Sequence, residues 1–301
     1  MIHVLLCTYN GERYLPAQLN SLLEQTGVEF QILIRDDGSS DKTPEILREY
    51  QTRHPDKVRI VPGRKHLGYP DCFWALLRES PKADAYAFCD QDDIWDREKL
   101  SHAQAALKEV PAGIPALWIH DYNVCDSSLR KKSVHTCPDL MALPPEKLLF
   151  YNQAEGFSMV LNEALRQILL GKSPEGKNLP HDELSIWTCA FHGRILQDHK
   201  ILASYRRHED TVTSTGSGTA GMIRSYLSKE ISGPAFEEKC TRIALFADTD
   251  SAISPEERKT FLLLSGKSNA TLLRLRRLFY PHRLKPTIGG ETALRVLFLL
   301  H

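Results

Sequence analysis

The chain has 301 residues, of which 42% are hydrophobic and 25% charged, so a disordered chain, a collagen and a coiled coil are excluded. Lysine plus arginine and aspartate plus glutamate both number 38, and this zero formal net charge argues against a nucleic-acid partner. The seven cysteines are scattered without a CxxC pair, so we expect reduced, mostly buried thiols in a cytoplasmic protein. No apolar run reaches the ~20 residues of a membrane span, so we expect a soluble protein that is at most peripheral to a membrane.

Apolar runs and helical patterns alternate through the first half of the chain. Buried strands are predicted at residues 2–7, 30–34, 58–61 and 85–89. Between and after these strands, helices are predicted at residues 14–23, 46–50, 73–77 and 96–109. This alternation indicates an α/β fold of Rossmann-like type, with a mostly parallel central sheet and helices on both of its faces.

The second half of the chain is less regular. Strands are predicted at residues 117–120 and 201–205 and helices at residues 163–170 and 184–191, with an apolar run at residues 157–161. The Thr, Ser and Gly content of residues 211–221 predicts a flexible loop or lid, and the remainder is helical in character. We therefore expect an α/β region in the first two thirds of the chain, followed by a loop and basic amphipathic helices over residues 211–301; the resemblance described below implies a catalytic domain over residues 1–210.

Polar clusters follow three of the predicted strands, at residues 8–10, 36–41 and 90–93. Ligands of parallel α/β sheets bind outside the carboxyl ends of the strands. We therefore expect these clusters, which are far apart in sequence, to converge in space.

Each cluster has a functional and a structural interpretation. Asp90 and Asp92 can hold a divalent cation that also binds a diphosphate, or they can belong to an ordinary acidic turn. The carboxylates of residues 36–41 can accept hydrogen bonds from a base or a ribose, or they can cap the next helix.

Two further motifs lie in the second half. Asp182, after His181, can be a general base or a helix cap. At residues 205–208, Arg206 or Arg207 can lie near a phosphate and His208 near a metal or a leaving diphosphate, or the motif can be surface charge.

Four motifs in this order at strand ends resemble family 2 glycosyltransferases. They are CTYNGE at residues 7–12, RDDGSSD at 35–41, HLG at 66–68 and CDQDDIW at 89–95. The resemblance covers roughly residues 1–210 and implies an inverting enzyme with the GT-A fold and a helical C-terminal extension. The DQDDIW form, with HD at 181–182 and YRRH at 205–208, resembles the bacterial rhamnosyltransferase branch, although His66 and Cys72 stand where that branch usually has Asn.

The resemblance implies a role for each matching position. Thr8, Tyr9 and Glu12 would line the base pocket, and Asp36 and Asp37 would bind the pyrimidine or ribose. Gly68, Asp90 and Gln91 would belong to the nucleotide site. Mg²⁺ or Mn²⁺ would be bound by Asp92, with Asp90 and His208, and Asp182 would be the general base.

The resemblance also implies partners. The donor would be dTDP-L-rhamnose, or alternatively a UDP-hexose or UDP-N-acetylhexosamine, and the acceptor a lipid-linked bacterial surface glycan such as lipopolysaccharide core or O-antigen. A sugar-1-phosphate nucleotidyltransferase is disfavoured because residues 8–15 contain one glycine. A non-catalytic sugar-binding protein is disfavoured because Asp37, Asp90, Asp92 and Asp182 are all present.

The end of the chain is basic. Residues 267–301 carry seven lysines and arginines against one glutamate, and residues 272–279 mix leucine and arginine at helical spacing. This pattern is typical of a helix on an anionic membrane surface. The alternative is a helix packed on the catalytic domain with its arginines exposed.

Overall fold

In a computed structural model, the protein is described over residues 1–63, 65–151, 154–208, 234–266 and 271–301. The expected loop or lid at residues 211–221 lies outside these described residues. The chain divides into two compact units. Unit 1 comprises Met1–Met141 and Gln153–His208, and unit 2 comprises Ala142–Asn152 and Glu209–His301.

Unit 1 contains all the described strands and seven of the helical elements. The strands are β1 Ile2–Thr8, β2 Phe30–Asp36, β3 Val58–Ile60, β4 Ala85–Cys89, β5 Ile94–Trp95, β6 Ala116–Cys125, β7 Lys131–His135, β8 Met159–Asn162 and β9 Arg194–Arg206. The α-helices are α1 Leu15–Leu23, α2 Thr43–Arg53, α3 Asp71–Glu79, α4 Lys99–Lys108, α6 Glu163–Gly171 and α7 His181–His192. A 3₁₀ turn, Gly156–Ser158, precedes β8, and another, Leu140–Ala142, lies where unit 1 meets unit 2 in sequence.

The strands form one sheet in the order β3-β2-β1-β4-β8-β6-β9-β5, with β7 paired to β6. The pairs β1–β2, β1–β4, β2–β3 and β6–β9 are parallel, whereas β8, β7 and β5 run antiparallel to their neighbours. Six of the nine strands therefore point in one direction, which confirms the expected α/β fold with a mostly parallel sheet.

Helices cover both faces of this sheet because alternate strand residues point to opposite sides. Val4 and Leu6 share one core with Leu19 of α1 and Leu100 of α4. On the other face, Phe73 of α3 packs against Phe88 of β4 at a ring distance of 6.0 Å. All seven residues of β1 are buried, as expected for a central strand between two helical layers.

The main differences from the sequence prediction concern strand length and direction. Strand β9 begins at Arg194, seven residues before the predicted start. The prediction missed the first half of this strand because that half is polar and mostly half-buried or exposed. Strand β6 continues beyond its predicted end to Cys125, and the prediction missed this part because it contains polar residues. The two-residue strand β5 was not predicted, and the antiparallel direction of β8 depends on pairing that no local pattern encodes.

Unit 2 is helical over its described residues. Its helices are α5 Pro145–Leu148, α8 Ala235–Thr249, α9 Pro255–Ser265, α10 Thr271–Leu278 and α11 Ile288–Leu300. Helix α9 begins with a capping box in which Ser254 and Glu257 exchange hydrogen bonds, and it ends at Gly266 in the left-handed conformation. The core includes Phe236, Ile243, Phe261 and Phe298, each at most 2% exposed.

Two expectations about the whole chain can be compared with the structure. All seven cysteines are buried thiols, as expected. Among the described residues, no helix combines the length and the apolar character needed to cross a membrane.

Candidate active site

The ends of β1 and β2 meet at the carboxyl edge of the sheet. The parallel register places Thr8 opposite Asp36. The Thr8 hydroxyl donates to Asp36 Oδ1 over 2.9 Å, and the hydroxyl and N–H of Ser39 also donate to the Asp36 carboxylate. The predicted convergence of the first two polar clusters is therefore confirmed.

The loops after these strands are joined by side-chain-to-backbone hydrogen bonds. The Lys42 N–H donates to Glu12 Oε2 over 2.9 Å, and the Glu12 N–H donates to Asp41 Oδ2 over 3.0 Å. The Ser40 N–H donates to Asn10 Oδ1 over 2.8 Å. The carboxylate of Glu12, a predicted base-pocket residue, therefore also fixes the start of α2.

Asp37 is buried and is used by a third loop. Its carboxylate accepts hydrogen bonds from the N–H groups of Leu67 and Gly68, at 2.9 and 2.7 Å. Nδ1 of His66 lies 2.8 Å from the Asp37 carbonyl oxygen. The His66 ring also packs against Tyr9, with ring centroids 4.8 Å apart, and Tyr9 is 49% exposed. Tyr9 and His66 thus form an open aromatic surface, here called the aromatic platform, directly above Asp37.

Gln91 connects this region to the loop after β4. Its side-chain oxygen accepts the Tyr9 N–H at 2.9 Å, and its amide nitrogen donates to the Tyr9 carbonyl at 3.0 Å. Gly11 is required beside it, because a Cβ at this position would lie 2.2 Å from the Gln91 side-chain oxygen. Gln91 therefore holds two loops together through both ends of its amide group.

Four carboxylates from three separate segments lie near one another after β4. They are Asp90, Asp92, Glu155 and Asp182, here called the acidic cluster. Burial and the charges of the other three raise the pKa of Asp90 to about 8. The raised pKa shows that the cluster disfavours a fourth negative charge.

Asp92 is positioned by the segment that follows β9. Nε2 of His208 lies 2.8 Å from Asp92 Oδ2, and the two side chains are only 12% and 16% exposed. Nε of Arg206 donates to the Asp92 carbonyl over 2.7 Å, and its Nη1 donates to the carbonyl of Ser127 over 2.7 Å. Arg206 is 5% exposed, and its guanidinium anchors the loop. Burial raises the pKa of Glu155, and the charges of His135 and of Arg207, the predicted alternative to Arg206, oppose this effect.

The donor set suits a hard divalent cation that a diphosphate helps to bind. Within the described part of the chain, no three His, Cys, Asp or Glu side chains are arranged as a metal site on their own. Mg²⁺ in phosphate-binding sites typically takes one or two carboxylates, with phosphate oxygens and water completing its shell. Asp92 and Asp90, with His208 beside them, are a fitting protein contribution to such a site.

Asp182 lies in the first turn of α7, where a carboxylate is stabilised by the helix dipole. The preceding His181 is held between Phe73 and Phe88, at ring distances of 4.3 and 4.4 Å. Burial lowers the pKa of His181 to about 3, so this ring is neutral. A Cβ on Gly156 would lie 2.0 Å from Nε2 of His181, so this contact requires glycine. The aromatic packing therefore fixes the turn that carries Asp182.

Sequence reasoning missed Glu155 and Lys99. Lys99 is completely buried beneath the acidic loop, donates to the carbonyl of Phe157 and lies 3.2 Å from the ring centroid of Trp95. Burial lowers its pKa well below the usual range, against the opposing charges of Asp93 and Asp90. The only signal for Glu155 is its place just before the apolar run at 157–161, and Lys99 looks like a solvent-facing lysine at the start of a helix.

This fold and edge define a nucleotide-sugar-dependent glycosyltransferase of the GT-A class. Comparison with known families agrees: residues 3–169 match the model "Glycosyl transferase family 2". The chain belongs to that family, whose members transfer a sugar from a nucleotide sugar.

One curated relative is similar to part of this chain. The dTDP-rhamnosyl transferase RfbG of Shigella flexneri is 38% identical over 101 residues, which is 33% of this chain and 35% of RfbG. The match therefore spans about a third of that relative's length.

Two solved structures share the fold. The crystal structure of Staphylococcus aureus TarS 1-349 with UDP-GlcNAc has a TM-score of 0.58 at 17% identity, covering 99% of this chain and 90% of TarS 1-349. The mannosyltransferase PcManGT from Pyrobaculum calidifontis, in complex with GDP-Man and Mn²⁺, has a TM-score of 0.51 at 13% identity, covering 99% and 86%.

Proposed function

We propose that the protein transfers L-rhamnose from dTDP-L-rhamnose to a hydroxyl of a bacterial cell-surface glycan, with inversion at the anomeric carbon and with Mg²⁺ or Mn²⁺. The observation that carries the transfer chemistry is the acidic cluster beside the aromatic platform, at the carboxyl edge of the sheet. In this proposal residues 1–210 perform catalysis and residues 211–301 form the loop and helical C-terminal region.

The nucleotide is proposed to bind at the aromatic platform. Tyr9 offers a half-exposed ring on which a pyrimidine can stack. Thr8, Glu12, Asp36 and Asp37, with Gly68, fix the pocket walls through the hydrogen bonds described above.

The diphosphate is proposed to lie at the acidic cluster, where Asp92, Asp90 and His208 would hold the cation and Gln91 would keep the loop in place. When bound, the cation offsets the negative charge that develops on the leaving diphosphate. The Lys99 amine lies buried beneath the same loop, where burial lowers its pKa against the charges of Asp93 and Asp90.

Asp182 is the proposed general base. Its carboxylate takes the proton of the acceptor hydroxyl as that oxygen bonds to the anomeric carbon and the bond from this carbon to the diphosphate oxygen breaks. A single displacement of this kind inverts the anomeric centre and needs one base. The packing of His181 keeps Asp182 close enough to Asp90 to raise the pKa of Asp90.

The choice of donor is supported by relatives. RfbG is a dTDP-rhamnosyl transferase, and the 38% identity over 101 residues favours the same donor here. A second candidate is a UDP-linked hexose or N-acetylhexosamine, favoured by the fold shared with TarS, whose structure contains UDP-GlcNAc. The proposed acceptor is lipid-linked, so the proposal includes a cytoplasmic enzyme in peripheral contact with the inner face of the membrane.

The test is a thermal-shift panel with the full chain. dTDP-rhamnose, UDP-GlcNAc, UDP-glucose and GDP-mannose are each added with Mn²⁺, with Mg²⁺ or with EDTA. A ligand that binds only the folded state raises the melting temperature. At a hundredfold excess over Kd, it adds ~2.7 kcal/mol to the free energy of unfolding. We expect a metal-dependent shift with dTDP-rhamnose, reduced in Asp92→Asn and retained in Asp56→Asn, a matched change at an exposed position.

The outcomes separate the parts of the proposal. A shift with UDP-sugars alone would keep the site and replace the donor. A shift that is equal in EDTA would remove the metal from the proposal. An absence of shift with every nucleotide sugar would contradict the proposed nucleotide site.

A further inference from the structure

Helix α10 turns apolar side chains outward and an arginine inward. Leu272, Leu275 and Phe279 are 63%, 42% and 76% exposed, whereas Arg277 is 1% exposed. With 3.6 residues per turn, positions 272, 275 and 279 share one face and position 277 lies on the opposite one. A helix at the surface of a water-soluble protein normally shows the reverse arrangement.

Specific contacts fix this orientation. The Arg277 guanidinium lies 4.5 Å from the ring centroid of Phe298, and Nη2 of Arg277 lies 3.8 Å from the Cys240 sulfur. A Cβ on Gly266 would lie 2.3 Å from Nη1 of Arg277, so the glycine makes room for the buried cation. Arg295 Nη1 donates to the carbonyl of Arg277 over 2.8 Å. Rotating α10 to hide its leucines would break all of these contacts.

Helix α11 adds a second apolar outer face. Ile288, Val296, Leu299 and Leu300 are 78%, 42%, 47% and 51% exposed. Of the fifteen large hydrophobic side chains that are exposed in the described residues, seven lie between 272 and 300. Single exposed apolar residues are ordinary, but a concentration of this kind marks a surface that something covers.

The charge of this segment indicates what covers it. Residues 271–301 carry six arginines and lysines and one glutamate, whereas residues 234–266 carry four basic and six acidic side chains. The one glutamate, Glu291, already accepts hydrogen bonds from the N–H groups of Leu284 and Lys285 and from Arg295. Arg276 is exposed on the same face as Leu272 and Leu275. Exposed leucine and phenylalanine beside the exposed Arg276 match an anionic lipid surface.

We propose that the outer face of α10, formed by Leu272, Leu275, Arg276 and Phe279, docks on a bilayer that contains anionic phospholipid. The apolar side chains enter the boundary between headgroups and acyl chains, and Arg276 lies among the lipid phosphates. This inference names the residues behind the membrane contact of the proposed function, but lipid binding by this face does not depend on sugar transfer.

The test is co-sedimentation of the full chain with vesicles of phosphatidylcholine alone or with ~30% phosphatidylglycerol, a fraction chosen so that the surface is strongly anionic. We expect binding to the anionic vesicles, weakened by salt. The variant L272S/L275S/F279S should lose at least about tenfold in partition, because it removes most of the inserted apolar surface. Arg276→Gln should lose about fivefold, the equivalent of roughly 1 kcal/mol for one basic residue near the surface.

The matched variant I114S/L129S/V134S changes three exposed apolar residues of unit 1 and should bind vesicles like the unaltered protein. Equal loss in both triple variants, or vesicle binding that L272S/L275S/F279S leaves unchanged, would overturn the proposal. A lipid-free dimer that the same variant converts to monomer would also overturn it, since a second copy would then cover the face. The nucleotide-sugar thermal shift is measured on each variant: a retained shift with lost vesicle binding supports docking, whereas a lost shift concerns the nucleotide site.

Discussion

Two acidic loops at one edge of the sheet contain the same residue type in opposite electrostatic states. In the loop of residues 36–41, every aspartate accepts hydrogen bonds from nearby N–H or hydroxyl groups. In the loop of residues 90–93, burial together with the charges of other carboxylates raises the pKa of Asp90 to about 8, while Asp92 contacts His208 and Asp93 accepts the Arg206 N–H. The aspartates of the first loop are paired with donors, whereas Asp90 lies among like charges.

The difference follows from where the partners come from. Asp36 and Asp41 have donors within three residues, Ser39 and Thr43, and also at and after the end of β1, from Thr8 and Glu12. Asp90 is crowded by Asp92 and by Glu155 and Asp182, which tertiary structure brings from far along the chain. Convergence of like charges of this kind is typical of functional sites.

The largest effect is expected at the centre of the second loop. Asp92→Asn should lower sugar transfer by about a thousandfold or more, since it weakens the cation site that offsets charge on the leaving group. It should leave the fold intact and reduce the Mn²⁺-dependent thermal shift. Initial rates with donor and acceptor, compared with Asp56→Asn, measure this effect. Residual activity above a tenth of the unaltered rate would contradict a metal role for Asp92.

Asp182→Asn tests whether the acidic cluster also contains the base. We expect transfer to fall by about 10²–10⁴-fold while the donor thermal shift is retained, because a base acts on the acceptor hydroxyl. Glu183→Gln, in the same helical turn, is the matched comparison. If it lost as much activity as Asp182→Asn, the base assignment would be wrong.

The free energy of unfolding gives a second test of the difference between the two acidic loops. Asp37→Ala should destabilise the protein by about 2–4 kcal/mol, because the N–H groups of Leu67 and Gly68 lose a charged acceptor in a buried site. Asp90→Asn should have the opposite sign without metal, since it removes one of four crowded carboxylates. Urea unfolding at pH 7 in EDTA measures both. A destabilised Asp90→Asn protein would mean that the second loop is satisfied like the first.

The pH dependence of stability tests the same repulsion. The pKa of Asp90 is raised to about 8 in the folded protein, against about 4 in an unfolded chain. A raised folded-state pKa favours the protonated folded form, so this contribution is fully present below pH ~4 and is lost as the pH rises toward 8. In EDTA, the unfolding free energy should therefore fall between pH 5 and 8, by no more than about 1.4 kcal/mol per pH unit. Saturating Mn²⁺ or Asp90→Asn should flatten the slope, and an equal slope in all three samples would contradict the prediction.

Much of the first loop could be predicted from sequence because its causes are local. Continuous apolar runs specify β1, β2 and β4, and polar residues directly after them mark the carboxyl edge, so the convergence of Thr8 with Asp36 followed from the parallel arrangement. The use of the Asp37 carboxylate by Leu67 and Gly68 did not follow, since residues 66–68 return to the edge only in the tertiary structure.

The sequence predicted which acidic side chains belong to the second loop's site but not which other charged side chains are buried around them. Asp90, Asp92 and Asp182 were identified, whereas Glu155 and Lys99 were missed. An isolated charge in a polar stretch gives no sign that it will be buried. Lys99 is completely buried because β4, β8 and α4 come together around it, and that packing has no local pattern.

The smallest effect is expected at Asp41, in the satisfied loop. Its slight burial raises the pKa, but hydrogen bonds from the Thr43 hydroxyl and from the N–H groups of Glu12 and Thr43 outweigh this and lower it. A lowered folded-state pKa contributes stability above the unfolded value, and this stability is lost as the pH falls through the folded value. Asp41→Asn should therefore cost about 0.5–1 kcal/mol at pH 7, an amount limited by solvent screening at an open site.

The difference between Asp41→Asn and the unaltered protein should diminish in urea titrations as the pH falls below the ordinary aspartate pKa of about 4, while the Mn²⁺-dependent shift stays unchanged. A change in that shift would mean that the two loops are coupled, most directly through Glu12, Tyr9 and Gln91. An unchanged shift, with the predicted acid dependence, would mean that the first loop stabilises the edge of the sheet without tuning the cation site.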